Sequence, residues 1–216
     1  MFKTCLLFLL ISIYASAKYG VIPLNLPSKT VLSCYASNSI SLLVSDVWDA
    51  RYGFNPNFTE SYNNAKALGF SNYHGILNLN DSWDATQVCY TIAKNLPATF
   101  GGYVWLNVAP NAGYWKRPLA QRIGYVESVA QACKQYGIKT GVHSNALIWQ
   151  LVFGNRYSAS NVLNALPLWY WVISDQPNFN DFSLQRFGGW QSPSIKTYIM
   201  GQSFCNATSI ALMYFP

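Results

Sequence analysis

Acidic residues are the side chains whose spacing along this chain bears most directly on chemistry. The 216-residue sequence has eight Asp and Glu residues against 14 Lys and Arg. Two carboxyl groups facing one pocket can cleave a glycosidic bond, one as proton donor and the other as nucleophile or base. The apolar stretch from Gly102 to Pro110 predicts a buried strand whose inward face ends at Asn107 and Ala109. Neither of these side chains can give or take a proton usefully.

Other residues with acid–base chemistry stand at the ends of neighbouring strands. Asp46 closes the predicted strand 41–48, and Asp175 follows the predicted strand 168–173. These two are the only plausible pair of carboxylates for such chemistry. His143 lies near the end of the predicted strand 138–144 with inward parity, where a neutral imidazole could hydrogen-bond a sugar. A plain structural histidine is equally consistent with the pattern.

The elements that must position these residues alternate between strands and helices. Such alternation predicts parallel βαβ units in one domain, residues 18–216. We therefore expect an α/β fold, a distorted (β/α) TIM-like barrel with about eight mostly parallel strands and helices mainly in the first five units. Its chemistry would lie where the strands end. The predicted strands are 19–22, 41–48, 70–79, 103–109, 138–144, 168–173, 194–199 and 209–215, and the predicted helices are 57–68, 82–96 (with Ser82 as candidate cap), 118–136 and 145–153.

The first 17 residues have the pattern of a secretory signal. Lys3 supplies the positive end, Cys5 to Ile13 the apolar run, and Ala15-Ser16-Ala17 a small-residue cleavage site. The apolar run is too short to span a membrane. We expect the mature chain to be secreted or delivered to a lysosome-like or phagosomal lumen, with no membrane span.

Four cysteines remain after removal of that signal. An even number in a secreted chain indicates disulfides, and four cysteines allow three pairings. No His/Cys cluster has metal-ligand spacing, so no metal or other cofactor is expected. The cysteines are Cys34, Cys89, Cys133 and Cys205, and the candidate N-glycosylation sites are Asn57, Asn80 and Asn206.

The basic residues are scattered along the chain. No Lys/Arg run of the kind found in nucleic-acid patches is present, so we expect no nucleic-acid partner. A solvated basic surface and a surface suited to anionic walls or membranes both remain open. No sequence pattern indicates an oligomeric state.

Several segments together resemble the glycoside hydrolase family 25 lysozymes of the nematode and protist type. The resemblance implies a barrel of five early βα units and three late strands, an amino-sugar cell-wall substrate and a muramidase reaction. It also implies a Cys34–Cys205 bridge, with Cys89 and Cys133 left as a possible second one. The segments are Tyr19-Gly20-Val21, Gly69 to Asn72, Tyr103 to Leu106, Gly141-Val142, Pro167 to Tyr170, Pro177 to Phe182, Phe187 to Trp190 and Pro193 to Lys196.

The family's acidic positions are occupied differently here. The resemblance implies an Asp-x-Glu pair at the end of the fourth predicted strand, where this chain has Asn107 and Ala109. It implies further acids after the first strand and near the end of the last, where this chain has Ile22 and Ile210. General acid catalysis alone contributes ~10²–10⁴-fold to a rate. Their replacement therefore predicts impaired hydrolysis.

Our leading hypothesis is a secreted lysozyme-like protein, catalytically impaired, that binds peptidoglycan or a related amino-sugar glycan. Its expected pocket residues are Asn107, His143, Tyr170 and Trp115. One alternative is an active muramidase that uses displaced carboxylates, and another is a non-catalytic protein-interaction module. The sequence does not decide whether the protein is an enzyme, but it favours a protein without catalytic activity.

Overall fold

The computed structural model describes residues 18–23, 27–174 and 176–216. The expected signal segment, 1–17, and Asp175 lie outside the described residues. The described strands are β1 (Lys18–Ile22), β2 (Ile40–Asp49), β3 (Gly53–Phe54), β4 (Asn72–Asn78), β5 (Val104–Asn107), β6 (Thr140–Ser144), β7 (Leu168–Trp171), β8 (Ile195–Phe204) and β9 (Ala207–Phe215). The described α-helices are α1 (Lys29–Ser37), α2 (Phe58–Ala67), α3 (Ala85–Asn95), α4 (Leu119–Gln135), α5 (Ala146–Phe153) and α6 (Asn161–Asn164).

Eight of these strands close into a barrel. The sheet order is β1-β9-β8-β7-β6-β5-β4-β2-β3, and β1 also pairs with β2, which closes the ring. The neighbours from β2 through β4 to β8 are parallel, whereas β9 runs antiparallel to both β1 and β8. The short β3 is a hairpin partner of β2 outside the ring. The predicted distorted α/β barrel is therefore confirmed.

Side chains on the strands alternate between the barrel interior and an outer layer under the helices. On β5, Trp105 joins the interior, while Val104 and Leu106 pack outward, as the period of two predicts. The Trp105 indole needs Gly141 on the next strand, because a Cβ there would collide with the ring. The interior cluster is Leu42, Val44, Ile76, Trp105, Trp169, Ile195 and Met213.

The helix boundaries follow local capping chemistry. Asn145 begins α5 by accepting a hydrogen bond from the Ile148 amide, and Gly154 ends it in the left-handed region. Contrary to our prediction, Ser82 does not cap α3. Asp84 does, accepting from the Gln87 amide at 2.7 Å, because the helix starts three residues later than expected.

Helix α1 is an element that the sequence did not lead us to expect. Its buried residues are Leu32 and Tyr35, so its apolar stripe is too narrow for a clear helical period. Ser28 caps it by accepting from the Val31 amide. None of the described helices is both long and apolar enough for a membrane crossing.

Two disulfides hold the barrel's periphery. Cys34 on α1 bonds Cys205 in the β8–β9 turn, with 5.7 Å between the Cα atoms. Cys89 on α3 bonds Cys133 on α4, with 4.8 Å between the Cα atoms. These are the bridges that the resemblance implied. The first ties together segments 171 residues apart in the chain.

Candidate active site at the barrel mouth

Polar side chains form a continuous row across the carboxyl ends of four neighbouring strands. Asp46 on β2, Asn78 on β4, Asn107 on β5 and His143 on β6 follow one another around the rim. Asn78 and Asn107 are paired in register, and so are Asn107 and His143. We call these four residues the mouth network. It occupies the end of the barrel where active sites of this architecture lie.

Hydrogen bonds run through the mouth network in one direction. The Asn78 amide donates to Asp46 Oδ1 at 3.1 Å and to the Trp48 carbonyl at 3.2 Å. Asn107 Nδ2 donates to Asn78 Oδ1 at 2.7 Å, which leaves Asn107 Oδ1 facing His143 Nδ1 at 2.9 Å. An ionised carboxylate only accepts, so Asp46 orients both amides. The chain of donors therefore places the imidazole proton on His143 Nδ1.

His143 is a buried, neutral imidazole. It is 8% exposed and lies against the Trp169 ring, with centroids 4.2 Å apart. Burial lowers the pKa of His143 to about 3, so the ring stays uncharged at neutral pH. Its Nε2 has no hydrogen-bond partner in the part of the chain that the structure describes. The mouth network thus ends at His143 Nε2, an acceptor to which no described group donates.

Asp46 is the carboxylate of this network. The residue retains exposure at the rim. Partial burial raises the pKa of the Asp46 carboxyl, the Asn78 hydrogen bond opposes that change, and the nearby Asp49 adds to it. The net effect is a pKa above the ordinary value, which favours the protonated form relative to a free aspartate.

The other described carboxylates are engaged elsewhere or point away from the network. Asp49 accepts from the Arg51 and Tyr52 amides in a turn. Asp81, 3% exposed, accepts from the Lys116 and Arg117 amides and anchors the loop after β5. The remaining ones are Glu60 in the first turn of α2, Asp84 at the α3 cap, Glu127 beside Ser160, and Asp181 paired with Lys196.

The positions that the resemblance assigned to acids differ in where they point. Ile22 is half-buried against the interior cluster. The Ala109 carbonyl accepts from Trp115 Nε1 at 2.7 Å. Ile210 is fully buried in the outer layer, and the residue opposite Ile22 is Ala211. Ile210 therefore does not make the pocket wall apolar, because β9 presents its neighbour to the interior.

Two of the four expected glycan-contacting residues are not brought to the mouth. Tyr170 follows the inward Trp169, so it has outward parity; it is fully buried and donates to Asp181 Oδ1 at 2.6 Å. Trp115 is 5% exposed and packs in the outer layer against Phe153. The structure does bring Asn107 and His143 together. It leaves Tyr170 and Trp115 buried in the outer layer, away from the mouth network.

Asn78 is the site residue that we did not predict from the sequence. It shares the inward parity of His74 and Ile76 on β4, and it closes that strand. That period of two is the signal that could have found it. The structure makes Asn78 the link between the only network carboxylate and the amide of Asn107.

The candidate glycosylation sites fall in three different settings. Asn57 precedes α2 and Asn206 lies in the β8–β9 turn, and both residues are exposed. The Asn80 amide instead donates to the Ala50 carbonyl at 2.8 Å. Asn57 and Asn206 are therefore the more accessible acceptors, and glycosylation itself stays a prediction.

The mouth offers hydrogen-bonding groups rather than a metal site. Within residues 18–23, 27–174 and 176–216, no three His, Cys, Asp or Glu side chains are grouped to hold a metal ion. The network can accept and donate to hydroxyl or acetamide groups. Among the residues that the structure describes, the network has one carboxyl, that of Asp46, where glycosidic cleavage generally uses two.

The closed barrel with a polar mouth is the architecture of the lysozyme-like class of proteins. Residues 14–198 match the model of a family described as lysozyme-like protein 1, and the chain belongs to that family. It is 30% identical to "Probable GH family 25 lysozyme 3" of Dictyostelium discoideum over 88% of this chain and 39% of that protein. It is 26% identical to "Counting factor 50" of the same organism over 82% of this chain and 58% of that protein.

The chain thus spans 39% and 58% of the lengths of these two curated relatives. A solved structure, the family GH25 lysozyme from Aspergillus fumigatus, has the same fold. It superposes with a TM-score of 0.72 and 13% identity, over 93% of this chain and 94% of that chain. This likeness extends the fold assignment to nearly the whole chain.

Proposed function

We propose that this protein is a secreted lysozyme-like barrel that binds peptidoglycan or a related amino-sugar glycan at its mouth, with strongly impaired hydrolysis. The observation that carries the proposal is the mouth network, in which two amides link one carboxylate to a neutral imidazole. The signal pattern of residues 1–17 supports secretion. The family membership supports the glycan class.

Impairment follows from what the network can donate. Hydrolysis needs a proton donor for the leaving oxygen and a second carboxyl as nucleophile, base or stabiliser. Asn107 has an amide in place of a carboxyl, and Ala109 has no polar side chain. Burial keeps His143 neutral at pH 7, so it is not a substitute acid. Loss of the general acid alone should lower the rate by ~10²–10⁴-fold.

We expect the purified protein to sediment with insoluble peptidoglycan without clearing bacterial walls. Asn107→Ala should weaken that binding by roughly tenfold, because it disconnects His143 from Asn78 and removes hydrogen bonds worth about 1 kcal/mol each. Binding isotherms from sedimentation measure the effect. Asn63→Ala, an exposed asparagine on α2, is the matched control and should bind like the wild type.

The same two assays discriminate the alternatives. Wall clearing at an enzyme-like rate would refute impairment. Absence of both lysis and binding would favour the non-catalytic protein-interaction module instead.

A second candidate function is a muramidase that uses displaced carboxylates. The raised pKa of Asp46 at the mouth favours it, since a general acid must be protonated when it acts. Its expected partner, Asp175, is outside the described residues. Any residual lysis that Asp46→Asn abolishes, while glycan sedimentation persists, would support this candidate over the first.

Restoring the family's acids should not restore the activity. We expect Asn107→Asp with Ala109→Glu to leave wall lysis close to the wild-type background. The new carboxylate at position 107 would compete with Asp46 for the one Asn78 amide, and Ile22 would still stand where the resemblance implies another acid. Turbidity assays on walls check this, with retained glycan sedimentation as evidence of folding. Strong lysis by the double variant would contradict us.

A further inference from the structure

Exposed lysines gather at the amino-terminal end of the barrel, opposite the mouth. Lys66, Lys94 and Lys134 are in the last turns of α2, α3 and α4, and Lys139 precedes β6. Each helix returns from the mouth, so their last turns lie at this end. All four lysines are exposed. The ion pair found in the described ranges joins other residues, Lys196 and Asp181.

Side-chain carboxylates are missing from this end in the part of the chain that the structure describes. Those on the strands and at helix starts belong to the mouth side, and the others are engaged by Ser160 or Lys196. Their positions are Asp46 and Asp49 on β2, Glu60 in the first turn of α2, Asp81 and Asp84 between β4 and α3, Glu127 on α4, and Asp181. No described side-chain carboxylate therefore neutralises these lysines, and Lys139 Nζ donates to the Gly101 carbonyl at 3.3 Å.

The surface between Lys66 and Lys139 is concave. Two cavities, each of about 260 Å³, lie on either side of Gly101-Gly102 in the loop before β5. Lys66 borders one cavity, and Lys139 and Tyr136 border the other. The loop packs so closely against β4 that a Cβ at Gly102 would collide with the Tyr73 carbonyl. We call these two cavities, with the four lysines at this end of the barrel, the lysine trough.

Helix stability explains only part of the arrangement. Lysines in a last turn interact favourably with the helix dipole, which accounts for Lys66, Lys94 and Lys134. It also disfavours carboxylates at these helix ends. It does not account for Lys139, which lies on no helix and whose Nζ donates to the Gly101 carbonyl at 3.3 Å. Exposed rings also lie among the charges: Tyr90 and Tyr136 are 5.8 Å apart, and Lys94 lies 5.6 Å from the Tyr90 ring centroid.

We propose that the lysine trough binds a flexible polyanion with phosphate groups spaced along its chain. Lysine acts as a point-charge ligand for phosphate, and a concave surface bordered by one sign of charge concentrates anions more than a flat surface does. A lipid bilayer fits less well, because the large exposed aliphatic side chains that could insert into it are not in the trough. Those described are elsewhere: Leu119, Leu147, Leu151, Ile173, Leu184 and Met200.

The test compares two triple variants of the full chain that lose the same charge. Lys66→Gln/Lys94→Gln/Lys139→Gln removes three of the four trough lysines, and Lys29→Gln/Arg51→Gln/Lys116→Gln removes three exposed charges outside the trough. The probe is long-chain inorganic polyphosphate, titrated at several salt concentrations. We expect at least tenfold weaker binding for the trough variant and less than twofold for the control. The slope of log K against log salt should fall by about 2, roughly 0.7 per lysine.

Equal losses in the two variants, or no polyphosphate binding by the wild type at low salt, would overturn the proposal. Binding to phosphatidylglycerol vesicles without binding to polyphosphate would assign the face to a lipid surface and would also overturn it. The inference does not rest on the glycan proposal. Asn107→Ala should leave polyphosphate binding unchanged, so failure at the mouth and failure at the trough are separate results.

Discussion

Asp181→Asn is expected to lower the free energy of unfolding by about 3 kcal/mol, because it strands a buried lysine charge. Lys196 on β8 is fully buried, and its ammonium bonds Asp181 Oδ2 at 2.7 Å, Ser174 Oγ at 2.8 Å and the Gln176 carbonyl at 3.0 Å. The variant keeps the two neutral acceptors and loses the one charge partner. Urea unfolding followed by tryptophan fluorescence measures the loss.

A second substitution separates charge from packing. Adding Lys196→Met to Asp181→Asn removes the stranded charge while keeping a long apolar side chain in the outer layer. The double variant should therefore be more stable than Asp181→Asn alone, since buried ion pairs are often replaceable by apolar residues. A double variant less stable than the single one would show that the pair acts through another interaction.

The ion pair also sets an acid limit on stability. Burial raises the pKa of the Asp181 carboxyl, but hydrogen bonds from Lys196 and Tyr170 and the lysine charge outweigh it, so the pKa is below the ordinary value. The stabilisation is thus fully present above the unfolded pKa of about 4 and is lost as pH falls below it. The free energy of unfolding of the wild type should decrease as the pH is lowered through this range. Asp181→Asn should lack this part of the pH dependence.

Asn107→Asp should raise the pKa of His143 by roughly 2 units, because a carboxylate would then face the ring nitrogen. The present partner is the neutral amide oxygen at 2.9 Å, and burial lowers the pKa of His143 to about 3. A charged acceptor at this distance stabilises the imidazolium. NMR titration of the His143 ring resonances measures the change.

Asn107→Leu is the shape-matched control for that titration. It removes the acceptor without adding charge, so the pKa of His143 should stay at or below its wild-type value. An unchanged pKa in Asn107→Asp would mean that the side chain at position 107 turns away from β6. The same variant bears on function, since it tests whether the mouth tolerates a second carboxylate beside Asp46.

The period of two along the strands made much of the barrel predictable. It placed Trp105 and Asn107 on the interior side of β5, and the βα alternation gave the closed fold. The period failed where register was uncertain: Ile210 was aligned with an acidic position, yet β9 turns it outward. The β8–β9 pair contains register shifts, and no local sequence pattern predicts them. These shifts cause the uncertainty.

The sequence predicted a site residue only where the alternation along a single strand was enough to place its side chain. Asn107 and His143 followed from their own parity, but Asn78 matters because it bridges two strands, and the hydrogen bond that makes it important is absent from sequence. Tyr170 was misplaced because we counted it with the mouth, whereas the adjacent Trp169 holds the inward position. Its partly exposed partner, Asp181, is 11 residues away in a short 3₁₀ helix whose position the sequence did not indicate.

The position of β9 in the ring gives the barrel an order of assembly during synthesis. This late strand pairs with both β1 and β8. The ring therefore cannot close while the ribosome still holds residues 207–215. Cys34 likewise leaves the ribosome 171 residues before its partner Cys205. Closure therefore depends on contacts of long sequence separation, which form slowly. Until then, β1 has an unpaired edge, and the nascent chain must be kept from pairing it with another strand.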